Sequence, residues 1–505
     1  MDIITLNLLL FPLFIFVFLV SILGHGSYVN NTIFKEQIDL DIKNLIFIKG
    51  LFFIGFICIF INLLTPISDF ISFLIIIIGC FLYLLNFIKN KYKVKEIFFL
   101  IFVLILCFFY SFYAGINDDF QYHYETIKNF KNKNIYNITH QRMISYNSHW
   151  LFLNSVYSFS IFTSSLFILS SLFFSITIYD LINLSRTSYK ENNKYLCLVS
   201  FFCLIFFLGV LNKFKDFGTD IPGVIISLYV MLILFYYLLD KKQEISHEIF
   251  SIILILCLFA FIIKITNVLI FLFMIFLFFR FNFKKINYGI LIFTILFPIP
   301  WFLQNIIISK CLIWPISFTC FSNIQLAIEE EYLIESFAKG DISTSIQVNG
   351  FGWIKIWFLN HFSKIFENYF VFFLLLILPL ILIKFQKGFN NKFFYNFIKK
   401  QYLEFNFMIF FIIILICNII WFFFAPAYRF GIFYNMLFVI ICSIPLWLFL
   451  EKQNLTFLVK YSKIIFTIIV IYFIFENITK FEWYFERYEF WPPISNQKIL
   501  DRTSY

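Results

Sequence analysis

The sequence predicts an all-α, polytopic transmembrane helix bundle of about fourteen helices with extracytoplasmic loops, and three observations carry that prediction. The first is composition: 61% of the 505 residues are hydrophobic, 13% are charged, and the mean hydropathy is +0.88. A soluble domain of this length lacks the interior to hide so much apolar surface. The second is that the apolar residues come in uncharged runs, such as 71–85 and 412–424, near the ~20 residues a helix needs to cross hydrocarbon. The third is an asymmetry of basic residues between alternate loops.

Cutting at the polar interruptions places helices at 3–23, 44–64, 68–88, 95–114, 150–184, 195–212, 220–239, 247–263, 266–280, 286–303, 365–384, 404–424, 429–450 and 462–478. The first run lacks a basic n-region and reads as a retained helix, not a cleaved signal. The 150–184 run is longer than one span needs, so its start reads as lying along the interface. The 247–280 run splits at Lys264, because so long an apolar stretch suits a helical hairpin better than one span. Grouped by region, residues 1–94 form an N-terminal three-helix extension and 95–303 the core, with an acidic loop at 115–149. Residues 304–364 form a loop or lid, 365–478 the C-terminal helices, and 479–505 a tail.

Loops 24–49, 89–95, 185–194, 240–247, 280–286, 384–400 and 451–463 share one face and carry 23 of the 39 Lys and Arg. Basic residues in short loops stay cytoplasmic. Both termini and loops 115–149, 213–219, 304–364 and 425–428 then fall outside, in a bacterial inner membrane. A net charge of +10 spread through connecting loops calls for no nucleic-acid partner. Phe, Ile, Lys and Asn share AT-rich codons, so the 81 Phe read as genome composition and lipid-facing filler. Eight of the ten Cys lie in apolar runs as small hydrophobes. Cys311 and Cys320 share one loop and are placed for a disulfide if it faces an oxidising compartment.

Loop 115–149 is the densest polar stretch, with Asp118-Asp119 and three of the six His. A carboxylate at the water–lipid boundary can take a proton from an acceptor hydroxyl, or bind a divalent cation beside a phosphate. The other reading is a solvated helix cap, with a surface helix starting near Phe120 and His123 and Glu125 within its first turn. Asp220 precedes Ile221-Pro222 and suits a helix cap as well as a site. Lys264 interrupts an apolar run, where a cation must snorkel, pair or face a polar cavity. Loop 304–364, with the acidic run Glu329–Glu331, reads as a cover over a site or as an aromatic anchor plus interfacial helix. Arg429, at an extracytoplasmic helix start, suits bidentate phosphate recognition or interfacial anchoring.

In order and spacing, these pieces resemble the GT-C superfamily of polytopic membrane glycosyltransferases, and more closely an uncharacterised bacterial GT-C-like branch. The resemblance rests on Asn117-Asp118-Asp119-Phe120 with His123, on His140 and Arg142 before Asn147-Ser148 and Trp150, and on Asp216, Asp220 and Pro222. Trp301, Gln304-Asn305, Ser309-Lys310 and Trp314-Pro315, then Ala425-Pro426 with Arg429-Phe430-Gly431, complete it. It implies a polyprenyl-phosphate-linked sugar as donor and an extracytoplasmic glycan, lipid or protein as acceptor. By that resemblance Asp118 or Asp119 is the catalytic base or metal ligand, with Mg or Mn as the candidate cofactor. His123, His140, Arg142, Asp220, Lys264 and Arg429 are then the substrate-binding set. The superfamily's acidic loop follows the first helix, and the chain departs from it in having three extra helices before that loop. Other readings are a transporter or flippase of lipid-linked glycans, an O-antigen polymerase or ligase, and a non-catalytic member. A transporter predicts internal repeats and charged or broken helices at the midplane, whereas the sequence shows no repeat and gathers its polar residues at one face.

Overall fold

A computed structural model describes residues 3–33, 40–89, 93–111, 123–138, 144–159, 168–209, 218–241, 245–280, 294–340, 351–384 and 390–452, with the single residues 292, 471 and 475. The described residues are 87% helical, and no strand occurs among them. Among the described residues, seven helices are long and apolar enough to cross a membrane: Leu10–Thr32, Lys43–Leu64, Asp69–Lys89, Ile168–Lys190, Asp220–Asp240, Phe405–Phe424 and Tyr428–Lys452. Shorter apolar helices, among them Lys194–Gly209 and His247–Ile263, fill the gaps between them.

Helices α1 (Ile3–Thr32), α2 (Lys43–Leu64) and α3 (Asp69–Lys89) pack as one unit. Glycine sets their spacing: a Cβ at Gly24 would strike the Gly79 carbonyl, and one at Gly26 the Ile46 carbonyl. Small residues let backbones approach where lipid supplies no hydrophobic drive between helices. The outer side of α3 exposes Phe70, Phe73, Ile77, Phe81 and Leu84, a surface suited to lipid and not to water.

Helix α4 (Lys93–Ser111) precedes the acidic loop. That loop contains the amphipathic α5 (Tyr124–Asn132), anchored at the α2–α3 turn. There Lys131 pairs with Asp69 at 2.8 Å and donates to Ser72 Oγ, and Ile67 N–H donates to the Phe130 carbonyl. Burial pushes the Lys131 ammonium below its ordinary range, opposed by Asp69.

The expected 150–184 run divides into a short buried helix, α6 (His149–Val156), and the span α7 (Ile168–Lys190). After α8 (Lys194–Gly209), helix α9 (Asp220–Phe235) continues through a π turn to Asp240, and residues 221–239 between its two partly exposed terminal aspartates are buried in the bundle. Helix α10 (His247–Ile263) stops at Lys264, whose backbone is extended, and a 3₁₀ turn (Ile265–Ile270) leads to α11 (Phe271–Arg280). The break falls where the sequence predicts the split.

Several boundaries differ from expectation, and α1 runs nine residues past 23. Helix α12 (Pro298–Ser309) runs six residues past 303, and α14 (Trp353–Lys384) begins twelve residues before 365. Both extensions are helix continuing past the apolar run into the polar boundary. Between them lie a turn closed by a Cys311–Cys320 disulfide and α13 (Ile324–Lys339). Helices α15 (Asn391–Tyr402), α16 (Phe405–Phe424) and α17 (Tyr428–Lys452) follow. The expected helix at 462–478 and the tail lie outside the described residues, apart from Ile471 and Phe475.

Candidate functional site

At one end of the bundle, α9 begins, α10 breaks and α17 begins. Asp220 is the first residue of α9 and forms an ion pair with Lys264. Capping therefore does not account for Asp220: Thr219 holds the cap position, and its side chain makes no cap hydrogen bond. The Lys264 ammonium lies 4.4 Å from the centroid of the Phe430 ring, and the Arg429 guanidinium carbon lies 5.2 Å from the same ring. An aromatic face attracts cations through its quadrupole. One ring thus gathers two positive charges from elements far apart in sequence. Arg429 is also 5.2 Å from the Phe337 ring of α13 and remains exposed. Gly223, one turn into α9, packs so close to the Asn267 side chain that a Cβ would collide with it. Asn267 is itself held by donating to the Ala260 carbonyl at 3.0 Å. The α9 start and the Lys264 break are therefore locked together.

Arg429 is positioned through the turn before it. Trp357 Nε1 donates to the Pro426 carbonyl at 2.7 Å and Trp421 Nε1 to that of Ala427 at 3.0 Å. Buried indoles usually seek such partners. These tryptophans fasten the Ala425-Pro426-Ala427 turn.

The far end of the acidic loop reaches this cluster. Ser148 Oγ donates to the carbonyl of Ile263, the residue before Lys264, at 2.8 Å. Its neighbour Asn147 donates to Asn305 Oδ1 at 2.9 Å, and Asn147's carbonyl accepts from Trp301 Nε1 at 2.8 Å. Tyr146 donates to Glu330 of α13 at 2.5 Å, while Glu331 accepts from the backbone and hydroxyl of Ser317 inside the disulfide-closed turn. Three motifs separate in sequence, 146–150, 301–305 and 311–331, thus interlock. His149 is wholly buried beside Gly55, Phe152 and Phe259, and desolvation pushes its imidazole down to about 3. It is a neutral packing residue.

The remaining sequence candidates divide by placement. His123 is buried at the start of α5. Asp118, Asp119, His140, Arg142 and Asp216 lie outside the described residues. Among the described residues, no three His, Cys, Asp or Glu side chains group to hold a metal. The structure thus joins Asp220, Lys264 and Arg429, and Phe430 is the ring that joins the two cations. Sequence reading missed that ring as a separate element, because one Phe among 81 carries no signal. It also missed Asp180 in α7, which accepts from Lys43 N at 3.0 Å, Asn44 N at 2.8 Å and Tyr229 OH at 3.0 Å. Its signal was present, since a charge inside an apolar run demands partners.

Residues 8–436 match the model of a family described as a domain of unknown function (DUF8201). The chain belongs to that family. No curated protein and no solved structure matches it. The DUF8201 match opens in α1 and ends in α17, so the N-terminal helices, the acidic loop and the Asp220–Lys264–Arg429 cluster all fall inside one family domain.

Proposed function

We propose that this DUF8201 protein is a GT-C-like integral membrane glycosyltransferase, which moves a sugar from a polyprenyl-phosphate donor to an extracytoplasmic acceptor. The observation that carries the reading is the convergence of Lys264 and Arg429 on the Phe430 ring, where the loop bearing Asp118-Asp119 ends. Two cations beside a helix start suit the phosphate of a lipid-linked donor. Asp118 or Asp119 takes the proton from the acceptor hydroxyl, and the hydroxyl oxygen attacks the anomeric carbon. The bond from that carbon to the phosphate oxygen breaks, and its electron pair leaves with the polyprenyl phosphate. Lys264 and Arg429 stabilise that charge as it develops, which lowers the barrier more than equal binding of substrate and transition state would. The configuration at the sugar inverts.

The Cys311–Cys320 disulfide supports placing this end of the bundle in an oxidising compartment, the side on which the acceptor is met. The test is genetic and chemical. A deletion strain is profiled for surface glycans and complemented with wild type, Asp118→Asn, Asp119→Asn and Arg429→Ala. Loss of one glycan class in the deletion, restored by wild type but not by Arg429→Ala and one aspartate variant, is expected. Full restoration by all three variants at normal membrane levels removes the catalytic reading.

A further inference from the structure

Asp220 occupies the position that an anion bound to Lys264 would take. The two residues come from different elements, so their pairing is a tertiary choice and not a local accident. The side chains are 25% and 18% exposed, which leaves the pair within reach of an incoming ligand. The Phe430 ring, 4.4 Å away, offers the Lys264 ammonium a second attraction besides the carboxylate. A pair built only for stability needs no second cation, yet Arg429 stands exposed over the same ring. These three side chains, taken among the described residues, are one carboxylate and two cations.

We propose that Asp220 is a resident counter-ion for Lys264, displaced when the phosphate of a lipid-linked headgroup enters the site. The proposal rests on the reading of Lys264 and Arg429 as phosphate-binding groups. Its consequence is selectivity: a carboxylate already in place turns away weakly bound anions, and a phosphate gains entry because it also engages the Arg429 fork. On entry, one Lys264–Asp220 contact is exchanged for contacts to two cations, and Asp220 turns to solvent. Neutralising Asp220 removes the competitor and leaves both cations.

The experiment uses the full chain in phosphatidylcholine nanodiscs, titrated with a polyprenyl monophosphate and, separately, with inorganic phosphate, and read by native mass spectrometry. Asp220→Asn is expected to bind the polyprenyl phosphate about tenfold more tightly than wild type, and Lys264→Gln at least tenfold more weakly. The double variant Asp220→Asn with Lys264→Gln should lose the gain. A gain confined to the lipid assigns the ligand as lipid-linked, and an equal gain for inorganic phosphate assigns the headgroup alone. Asp220→Ser, a second neutral side chain suited to a helix start, guards against a folding defect in Asp220→Asn. Equal or weaker binding by both folded variants, with wild type still binding, overturns the counter-ion and leaves the phosphate reading standing. No binding by wild type or either neutral variant overturns both.

Discussion

Helix α9 carries an aspartate at each end, and the two are handled differently. Asp240 accepts from the backbone N–H groups of Tyr195 at 3.0 Å and Leu196 at 2.8 Å, and so closes the open N-terminus of α8. Asp180 does the same for α2. Asp220 faces a lysine side chain instead, beside the ring that Arg429 also approaches. Backbone donors are fixed and their satisfaction is permanent, whereas a side-chain partner can be exchanged. At one end of α9 the carboxylate meets backbone donors, and at the other it meets a side-chain cation.

The largest effect that would sharpen this contrast is at Asp180. Alanine there strands two backbone N–H groups and removes the acceptor of the Tyr229 hydroxyl, which still accepts from Asn44, at roughly 3 kcal/mol or more. Thermal unfolding in detergent should show it as the least stable variant. Asp240→Ala, with two stranded donors, should cost about 2 kcal/mol. By contrast, Asp220→Asn should change stability by no more than about 1 kcal/mol, as expected for a partly exposed ion pair. If Asp220→Asn unfolds the protein as Asp180→Ala does, the contrast collapses.

A pH measurement probes the buried loop end. His149 is neutral in the folded chain, with its pKa lowered from 6.5 to about 3. Above about 6.5 neither state protonates it, and the folded state keeps its full stability. As the pH falls from 6.5 towards 3 only the unfolded chain takes the proton, so stability declines by up to about 1.4 kcal/mol per unit. Unfolding midpoints across that window should slope for wild type and be flatter by that amount in His149→Gln. The smallest effect is at the turn before Arg429. Trp357→Phe removes one hydrogen bond, worth about 1 kcal/mol. It should weaken polyprenyl-phosphate binding modestly, while Trp357→Leu, which also loses the ring, weakens it further.

Much of the helical architecture was legible because lipid imposes it: long uncharged runs and a lysine that interrupts one need no tertiary knowledge. Lys264 could be marked as exceptional, and Arg429 as a cation at a helix start. What could not be read was partnership. Asp220 looked like a cap because Asp-Ile-Pro is a helix-starting pattern, and only the tertiary structure brings Lys264 to it. Glu330 and Glu331 looked like an acidic run on a surface helix, yet one receives Tyr146 and the other Ser317. Helix ends drifted at 309 and 353 because hydropathy registers where lipid stops, not where hydrogen bonding does.

The glycine crossing of α1, α2 and α3 carries a different kind of message. This sequence is written in an alphabet tilted towards AT-rich codons, and glycine, spelled GGN, runs against the tilt. Only 15 occur in 505 residues, and Gly24, Gly26, Gly50 and Gly79 all sit where helix backbones touch. In such a text an ordinary Phe says little about its position, while each of these glycines is close to a geometric instruction. A search for distant relatives that weights those four positions above the aromatic background would follow the bundle's spacing and not its genome's spelling.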